Sequence, residues 1–463
     1  MQGIVFVPGI SGSELIFKSE TPPIWPPNWW DIFGYEEMKE ILDPKHVSVG
    51  NVIDNVLDVI PIYGTTEQDL RSISNTLNGT ASGPYLAAPY DWRIDLRTSV
   101  NDLADKIGDF AQSTGVTEIA IVCHSMGGLL TRLLLEWRLT KKTPAWFDKI
   151  TKALFVCTPH LGAPAALARI LGLEWTERVI TPSDMKKFAA DSHFPAVYQL
   201  LPPPGRGILL DTTSNNFLRY DNSNVITAFD LSKHNLNAAR MYREALSPSN
   251  KPKTVTYTFV YGMGQMTDEV VAVNGLTLEN ARPRQDDKGD GTVPSWSITE
   301  AAAQFTPNIQ TRSFPGDHVG VLRTDAFRNF LYSYFGLSGP APLVKDWAGA
   351  VVSLDKPSYA PGEIIHAQII PDEEANFISG SLMLSRLAAD TGRSSVLGVR
   401  QQVQFRGGPM PYLVSKLTAP KTPGVYRLDF GGSEASHKTS EEVAGWFVVP
   451  GAGSLGRSAK KRR

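Results

Sequence analysis

The sequence predicts an α/β protein with a mostly parallel sheet, followed by a smaller all-β region. Up to about residue 340, short apolar runs alternate with longer amphipathic runs, which is typical of strands that alternate with helices. After the proline-rich joint at residues 339–342, helical periodicity disappears and turn-forming phrases such as YAPGE and TPGVYRLDFGG follow one another. The length of 463 residues exceeds one ordinary core, so we expect two domains.

The predicted strands of the parallel sheet are six short stretches, at residues 3–7, 85–89, 118–123, 153–157, 254–261 and 311–314. A helix predicted at 98–112 has apolar residues at helical spacing. Two long segments interrupt the alternation beside candidate site residues, and compact domains rarely contain such connections without a function. We interpret them as an N-terminal insert at about 16–59 and a cap at about 163–252.

The chain therefore divides into an α/β domain at 1–340, a β-sandwich at 345–450 and a disordered basic tail at 451–463. The phrases SYAPGEIIHAQI and PGVYRLDF in the second region resemble bacterial immunoglobulin-like modules. The tail ends in GRSAKKRR, a solvated composition.

Composition excludes several classes of function. A net charge of −2 with 42% hydrophobic residues gives no whole-chain preference for nucleic acid or anionic membranes. The cysteines, Cys123 and Cys157, lie in apolar runs and do not form a disulfide framework. No basic leader precedes the first predicted strand and no apolar stretch approaches about 20 residues, so we expect a cytoplasmic protein. Transient contact with a membrane surface would then depend on local patches.

The stretch EIAIVCHSMGGLL is the first candidate site, because an apolar strand turns abruptly into a helix at Ser125. A serine at such a corner is lifted out of the sheet, as in the G-x-S-x-G nucleophile elbow. Cys123 occupies the first glycine position here and Gly127 the second. The alternative is a serine that only caps the helix.

A serine nucleophile needs a histidine base and an acid to orient it, which follow in the order Ser, Asp, His in this topology. His318 directly follows the last predicted strand. The other histidines lie in the insert, before any downstream acid, in the cap or beyond the joint (His46, His124, His160, His193, His234, His366 and His437). Asp290, which follows the 254–261 strand through a loop, is the preferred acid because glycines flank it. Asp286, Asp287 and Asp317 compete with it, and a solvated or calcium-like turn is the alternative.

The oxyanion of an acyl transfer needs backbone donors. The N–H of Met126, directly after the serine, is one candidate. The loop in VFVPGISGSEL supplies the other, and we favour the N–H of Ile10. An ordinary strand-to-helix turn is the alternative for this loop.

Seven phrases in order resemble the lecithin:cholesterol acyltransferase-like lipases and phospholipases of the α/β-hydrolase superfamily. They are VFVPGISGSEL, AAPYDWR, CHSMGGLLTR, TPHLGAP, FPAVYQLLP, GDGTVP and DHVGVL, across residues 3 to 335. Carried over by position, the resemblance implies a nucleophile at Ser125, an acid at Asp290, a base at His318 and oxyanion donors at Ile10 and Met126. It also implies an α/β-hydrolase sheet. The chain lacks the disulfide-forming cysteines of the animal members.

Further residues are candidates for substrate binding. Trp25, Trp29 and Trp30 in IWPPNWW suit contact with lipid or an acyl chain, or packing of the insert onto the sheet. His160 lines or braces the pocket on this interpretation. In PYDWR we expect Trp92 beneath the site. No metal-ligand spacing, phosphate loop or nucleic-acid pattern appears, so no metal, cofactor or nucleic-acid partner is expected.

The sequence thus predicts a serine-dependent hydrolase or acyltransferase for lipid esters, of phospholipase or O-acyltransferase type, that forms an acyl-enzyme. One alternative is an esterase or thioesterase for a soluble or polymeric ester. Another is a non-catalytic interaction protein with a vestigial hydrolase domain. The sequence identifies neither the acyl chain nor the partner of the β-sandwich.

Overall fold

The structure is a computed structural model that describes residues 1–27, 37–57, 60–138, 143–174, 180–340, 350–371, 374–387, 394–431 and 443–451. Trp29 and Trp30 lie outside these residues, as does the predicted basic tail apart from its first residue.

The strands alternate with helices through the first 340 residues and follow one another directly thereafter. In chain order the strands are β1 (Gln2–Val7), β2 (Ser13–Phe17), β3 (Val47–Val52), β4 (Asn55–Val56), β5 (Ile60–Pro61), β6 (Tyr85–Ala87), β7 (Glu118–His124), β8 (Ile150–Val156), β9 (Leu209–Asp211), β10 (Asn216–Leu218), β11 (Thr256–Met263), β12 (Gln265–Asn274), β13 (Thr277–Gly289), β14 (Gln310–Pro315), β15 (Val351–Leu354), β16 (Ile364–Ile370), β17 (Ala375–Leu387), β18 (Ser394–Met410), β19 (Leu413–Thr418), β20 (Gly424–Gly431) and β21 (Gly445–Val449).

The helices that the structure describes all precede the second region. They are α1 (Met38–Ile41), α2 (Gly64–Asn78), α3 (Leu96–Thr114), α4 (Met126–Leu133), α5 (Pro164–Ile170), α6 (Pro182–Ala190), α7 (Ala196–Gln199), α8 (Ser223–Phe229), α9 (Lys233–Ala245), α10 (Ser295–Ala303) and α11 (Asp325–Tyr334). A π-helical turn, Leu134–Arg138, extends α4.

The central sheet has six parallel strands in the order β14-β11-β8-β7-β1-β6. These are the six predicted strands, with ends that differ by at most three residues. Its inner strands are apolar because both faces are buried, as the run from Ile119 to His124 in β7 illustrates. The predicted α/β-hydrolase fold class is therefore confirmed.

The insert and the cap are built from short elements. In the insert, β2 pairs antiparallel with β3, and β4 pairs with β5. The cap contains α5 to α9 and the short strands β9 and β10. No helix in the described part of the chain has the length and apolarity needed to cross a membrane.

The prediction that a loop connects the 254–261 strand to Asp290 is wrong. A long antiparallel hairpin, β12–β13, occupies this part of the chain. The hairpin joins β9 and β10 of the cap in a four-stranded sheet. β13 is mostly exposed and polar, which hides it from a search for apolar runs. The Asn274-Gly275 pair at its turn, with Gly275 at φ 59°, is the hairpin signal that the sequence did offer.

The second region consists of two antiparallel sheets, β15-β16-β19 and β18-β17-β20-β21, around an apolar core. We call residues 350–451 the C-terminal module. Its likeness to immunoglobulin-like modules stays a prediction. Several of its apolar side chains belong to the core of the α/β region instead: Leu387, Val425, Ala444, Trp446 and Val448. The two regions therefore share a continuous apolar core.

Candidate active site

Ser125 lies at a strained corner between β7 and α4. Its backbone has φ 52° and ψ −127°, a conformation that side-chain-bearing residues rarely adopt. Two glycines make the corner sterically feasible. A Cβ on Gly127 would lie 2.2 Å from the Pro8 carbonyl oxygen, and one on Gly128 would lie 1.9 Å from Thr158 Oγ1. The corner has the geometry of a nucleophile elbow.

Cys123 fills the position of the first glycine without disturbing the corner. Its thiol is buried and donates to the Leu154 carbonyl at 3.3 Å. Burial raises the pKa of this thiol far above its ordinary value, so the sulfur remains protonated and unreactive. Cys123 therefore acts as a small core residue.

Ser125, His318 and Asp290 form a hydrogen-bonded trio. Ser125 Oγ lies 2.8 Å from His318 Nε2, and His318 Nδ1 lies 2.8 Å from Asp290 Oδ2. Since a carboxylate can only accept, Nδ1 carries the proton and Nε2 accepts from the serine hydroxyl. The three residues that the sequence nominated are thus in contact, although 193 positions separate Ser125 from His318.

The Asp290 carboxylate is fully buried and held in place by its own loop. Its Oδ1 accepts the N–H groups of Thr292 at 2.9 Å and Val293 at 2.7 Å. Burial favours the neutral acid, but the His318 imidazole and these two N–H groups outweigh burial and lower the pKa. The carboxylate is therefore ionised at neutral pH and can stabilise an imidazolium at His318.

The competing carboxylates are directed elsewhere. Asp286 pairs with Lys288 on the exposed hairpin, where Asp287 also lies. Asp317 Oδ1 accepts the N–H groups of Val319 and Gly320. In the described part of the chain, none of them bonds to the His318 ring, which favours Asp290.

The two nominated oxyanion donors flank Ser125. Met126 is the first residue of α4, and Ile10 lines the cavity in the loop after β1. Among the described residues, neither backbone N–H donates a hydrogen bond to the protein. Gly9 lets the Ile10 loop approach the serine, because a Cβ at Gly9 would lie 2.9 Å from Ser125 Cβ. Both N–H groups are therefore free to bind an oxygen.

His124 and Tyr63 connect the Ile10 loop to the His318 loop. The Tyr63 hydroxyl accepts the Gly9 N–H at 2.9 Å and lies 2.7 Å from His124 Nδ1. His124 Nε2 lies 2.8 Å from the His318 carbonyl oxygen, so Nε2 carries the proton and Nδ1 accepts from Tyr63. Burial, followed by the nearby His318, lowers the pKa of His124 to about 3. A neutral His124 thus links two parts of the site.

Comparison with known protein families finds one match. Residues 72–294 match the lecithin:cholesterol acyltransferase family model, a range that includes Ser125 and Asp290. Just under half of the chain is therefore similar to this family. The match and the six-stranded parallel sheet both agree with an ester-hydrolysing enzyme of the α/β-hydrolase fold.

Several solved structures resemble the chain at low identity. A chain of the Tle4-Tli4 complex is 13% identical with a TM-score of 0.48, covering 69% of this chain and 92% of that one. Phospholipase PlaB from Legionella pneumophila is 10% identical with a TM-score of 0.32, and the match covers 97% of this chain and 90% of that one. A structure from a study of carboxylesterases of Nitrososphaera gargenis is 10% identical with a TM-score of 0.29, and the match covers 72% of this chain and 89% of that one. No curated protein matches the sequence.

The trio of Ser125, His318 and Asp290 opens into a cavity with largely apolar walls. Insert, cap and C-terminal module all contribute to the walls, as do Trp25 and Trp92. Trp25 lines the cavity and also packs the insert onto the rest of the protein, so its contact with substrate stays a prediction. It is 1% exposed, and its Nε1 donates to the Ser11 carbonyl at 2.8 Å. Trp25 is therefore a fixed wall of the cavity.

The assignment of His160 to substrate binding is wrong. His160 does not line the cavity, and its buried ring stacks on Phe259 at 3.8 Å between centroids. Burial lowers the pKa of His160 well below its ordinary value, so the ring is neutral. His160 therefore packs as a neutral ring among the buried aromatic side chains of the core.

One group of side chains has the spacing of a metal site. Ligand atoms of His124, Cys157 and His318 lie within 4.8 Å of one another. The nitrogens of both histidines already take part in the hydrogen bonds given above, and burial keeps the Cys157 thiol protonated by raising its pKa. The donor set therefore does not fit a metal.

Two residues that organise the site escaped the sequence analysis. Tyr63 directly precedes α2 and carries no motif. Ser353 lies in β15, beyond the proline-rich joint, and bonds to Asp317. Both residues bond to partners that are distant in the chain, and a local sequence pattern cannot predict such contacts.

Proposed function

We propose that this protein is a serine-dependent lipid ester hydrolase or acyltransferase that forms an acyl-enzyme at Ser125. The observation that carries the proposal is the hydrogen-bonded trio of Ser125, His318 and Asp290 beside an apolar cavity. The family match of residues 72–294 supports the same chemistry.

The reaction begins when the Ser125 hydroxyl attacks the ester carbonyl and His318 Nε2 takes its proton. Negative charge develops on the carbonyl oxygen, where the N–H groups of Ile10 and Met126 stabilise it. The ionised Asp290 stabilises the imidazolium. His318 then returns the proton to the departing alkoxide, which leaves as an alcohol, and the acyl group stays on Ser125.

In the second half, water or an acceptor alcohol attacks the acyl-enzyme while His318 takes its proton. Water releases a fatty acid, and an alcohol gives a new ester. In both cases His318 protonates Ser125 Oγ as the acyl group departs, so the enzyme returns to its starting state.

The composition of the cavity favours a substrate with a long acyl chain. Burial of each methylene contributes about 0.8 kcal/mol. Aliphatic and aromatic side chains of the insert, of the residues directly after it and of the cap supply the apolar wall: Ile41, Ile53, Val56, Ile60, Ile62, Ile180, Met185, Phe188, Val197 and Leu200. A short soluble ester would leave most of this wall unused.

The substrate class can be tested with two substrate sets. We expect kcat/KM for p-nitrophenyl esters to rise from the acetate to the octanoate, and we expect turnover of ester lipids in phosphatidylcholine vesicles. A preference for the acetate without vesicle turnover would favour the alternative, an esterase for a soluble ester. An added primary alcohol distinguishes transfer from hydrolysis, because transfer forms a new ester at the expense of fatty acid.

A further inference from the structure

The C-terminal module contacts the loops that carry the proposed acid and base. Ser353 in β15 is 1% exposed and lies beside the His318 loop. Its hydroxyl donates to Asp317 Oδ2 at 2.7 Å and accepts the Asp317 backbone N–H at 2.6 Å. Asp317 directly precedes His318, so these two bonds hold the residue from which the base projects.

The same hydroxyl also reaches the loop of the acid. Ser353 Oγ accepts from Gln265 Nε2 at 2.9 Å, and the Gln265 backbone forms an isolated β-bridge with Asp290. Gln265 Nε2 also donates to Gln368 Oε1, and Gln368 Nε2 donates to the Met263 carbonyl. With one bond donated and two accepted, the Ser353 hydroxyl is fully used.

Two glycines in the α/β region allow the C-terminal module to approach closely, because a side chain at either position would clash with it. A Cβ on Gly291, the residue after the acid, would lie 2.4 Å from the Asp355 carbonyl oxygen. A Cβ on Gly264 would lie 2.3 Å from Gln368 Nε2. Both glycines have positive φ, and the module packs against the backbone of both. The contact is close-packed and not a loose association of two domains.

The module also forms part of the cavity wall. The residues it contributes are Val352, Leu354, Asp355, Lys356, Pro357, Gly445 and Trp446. Trp446 belongs to the core cluster of the α/β region. The cavity beside Ser125 would therefore lack one side without the module.

We infer that the C-terminal module is a component of the active site and that Ser353 is a positioning residue for His318 and Asp290. One hydroxyl from the module fixes the loops of base and acid relative to each other. The inference rests on the proposed function. It assigns the module a role in the chemical step, whereas an accessory binding module would act on substrate capture.

The experiment compares Ser353→Ala with Ser415→Ala, using p-nitrophenyl octanoate on the full chain. Ser415 is a matched control because its buried hydroxyl also bonds to a glutamine, Gln401, within the module and away from the cavity. We expect Ser353→Ala to lower kcat about tenfold or more with KM changed less than twofold, because small misplacements of reacting groups are costly. Ser415→Ala should keep the kcat of the unmodified protein.

Two further measurements separate positioning from general stability. The rate of inactivation by a fluorophosphonate should fall with kcat in Ser353→Ala, and Ser353→Thr, which keeps the hydroxyl, should recover most of both rates. If Ser353→Ala does not fold, judged by circular dichroism, Gln265→Leu removes one link at the same hydroxyl and should lower kcat with KM unchanged.

An unchanged kcat in a folded Ser353→Ala or Gln265→Leu would overturn the inference, as would an equal loss in Ser415→Ala. These outcomes differ from a failure of the proposed function, in which the unmodified protein itself would neither cleave the ester nor react with the fluorophosphonate.

Discussion

Ser125 keeps its hydroxyl within reach of His318 by adopting a backbone conformation that costs on the order of 1–3 kcal/mol. Neighbouring hydrogen bonds hold it there. The Ser125 N–H donates to the Val156 carbonyl at 2.9 Å, and its carbonyl accepts the Gly128 N–H at 2.9 Å. The nucleophile is thus fixed before substrate arrives, which reduces the entropic cost of the reaction.

Tyr63→Phe tests the link between the Ile10 loop and the His318 loop. The change leaves the Gly9 N–H and His124 Nδ1 without a partner in a buried position, which typically costs about 1–3 kcal/mol for each group. We expect kcat for p-nitrophenyl octanoate to fall about tenfold or more, because the oxyanion loop loses its anchor.

The control for this variant is Tyr220→Phe, whose buried hydroxyl donates to the Pro202 carbonyl outside the cavity. It should lower the melting temperature and leave kcat unchanged. Equal kcat values for the two variants would contradict a role for Tyr63 in the site.

The roles of some site residues could be predicted from the sequence, and the roles of others could not. Ser125 and His318 could be predicted because a corner motif and the few histidines restrict the choice. The bonds of Tyr63 to Gly9 and His124 join residues 54 and 61 positions apart. They depend on how the insert folds back, which the sequence does not report locally.

Secondary structure elements converge on the site at the ends of parallel strands. The oxyanion loop follows β1, the serine follows β7, and the histidine follows β14. Parallel strands present their carboxyl ends at one edge of the sheet, so consecutive loops meet there. Inner strands such as β1 and β7 were predictable because buried parallel strands are continuously apolar. β12 and β13 were not found, since β13 is mostly exposed.

Gly9→Ala tests the close approach of the oxyanion loop to the serine corner. The new methyl group would lie 2.9 Å from Ser125 Cβ and 3.1 Å from both His124 Nδ1 and the Tyr63 hydroxyl. None of these atoms can move without displacing the site. We expect kcat to fall about a hundredfold, with KM changed much less.

Gly205→Ala is the matched control, because its nearest neighbour would be Arg219 Nη1 at 4.0 Å. It should keep full activity. A fully active Gly9→Ala would show that the loop after β1 does not need to approach Ser125 this closely.

A cluster of charged side chains around the buried Asp268 joins the two regions of the molecule. Asp268 on β12 is 3% exposed, next to Glu174 after α5 and Lys356 of the module. Lys356 Nζ lies 2.9 Å from Glu363 and 3.6 Å from Glu174, and Arg169 on α5 also faces Asp268. Burial, followed by the charge of Glu174, raises the pKa of Asp268 to about 7.

Asp268→Asn tests this cluster through the pH dependence of stability. The folded protein keeps a proton on Asp268 that the unfolded chain releases above about pH 4, so this group lowers the free energy of unfolding as pH rises from about 4 to 7. Between pH 5 and pH 8, we expect the melting temperature of the unmodified protein to fall more than that of Asp268→Asn.

The control is Asp102→Asn on α3, where the carboxylate is 54% exposed. It should retain the pH dependence of the unmodified protein. Identical slopes in Asp268→Asn and the unmodified protein would contradict a protonated Asp268 in the folded state.

For the whole molecule, the sequence indicates two regions but does not predict that they contact each other. The proline-rich joint lies between the part in which strands alternate with helices and the part in which strands follow one another directly. The strand that carries Ser353 is buried at every position of Val351–Leu354, so no alternation reveals which face meets the α/β region. The contact depends on shape complementarity across the joint, which local patterns do not encode.

The most direct test of the central claim is fluorophosphonate labelling followed by mass spectrometry of the digested protein. We expect one phosphonyl adduct, on the peptide that contains Ser125, and no adduct in Ser125→Ala. His318→Ala should slow the labelling by several orders of magnitude, as is usual when a member of such a trio is removed. An unmodified protein that stays unlabelled, or a label that persists in Ser125→Ala, would contradict a nucleophile at Ser125.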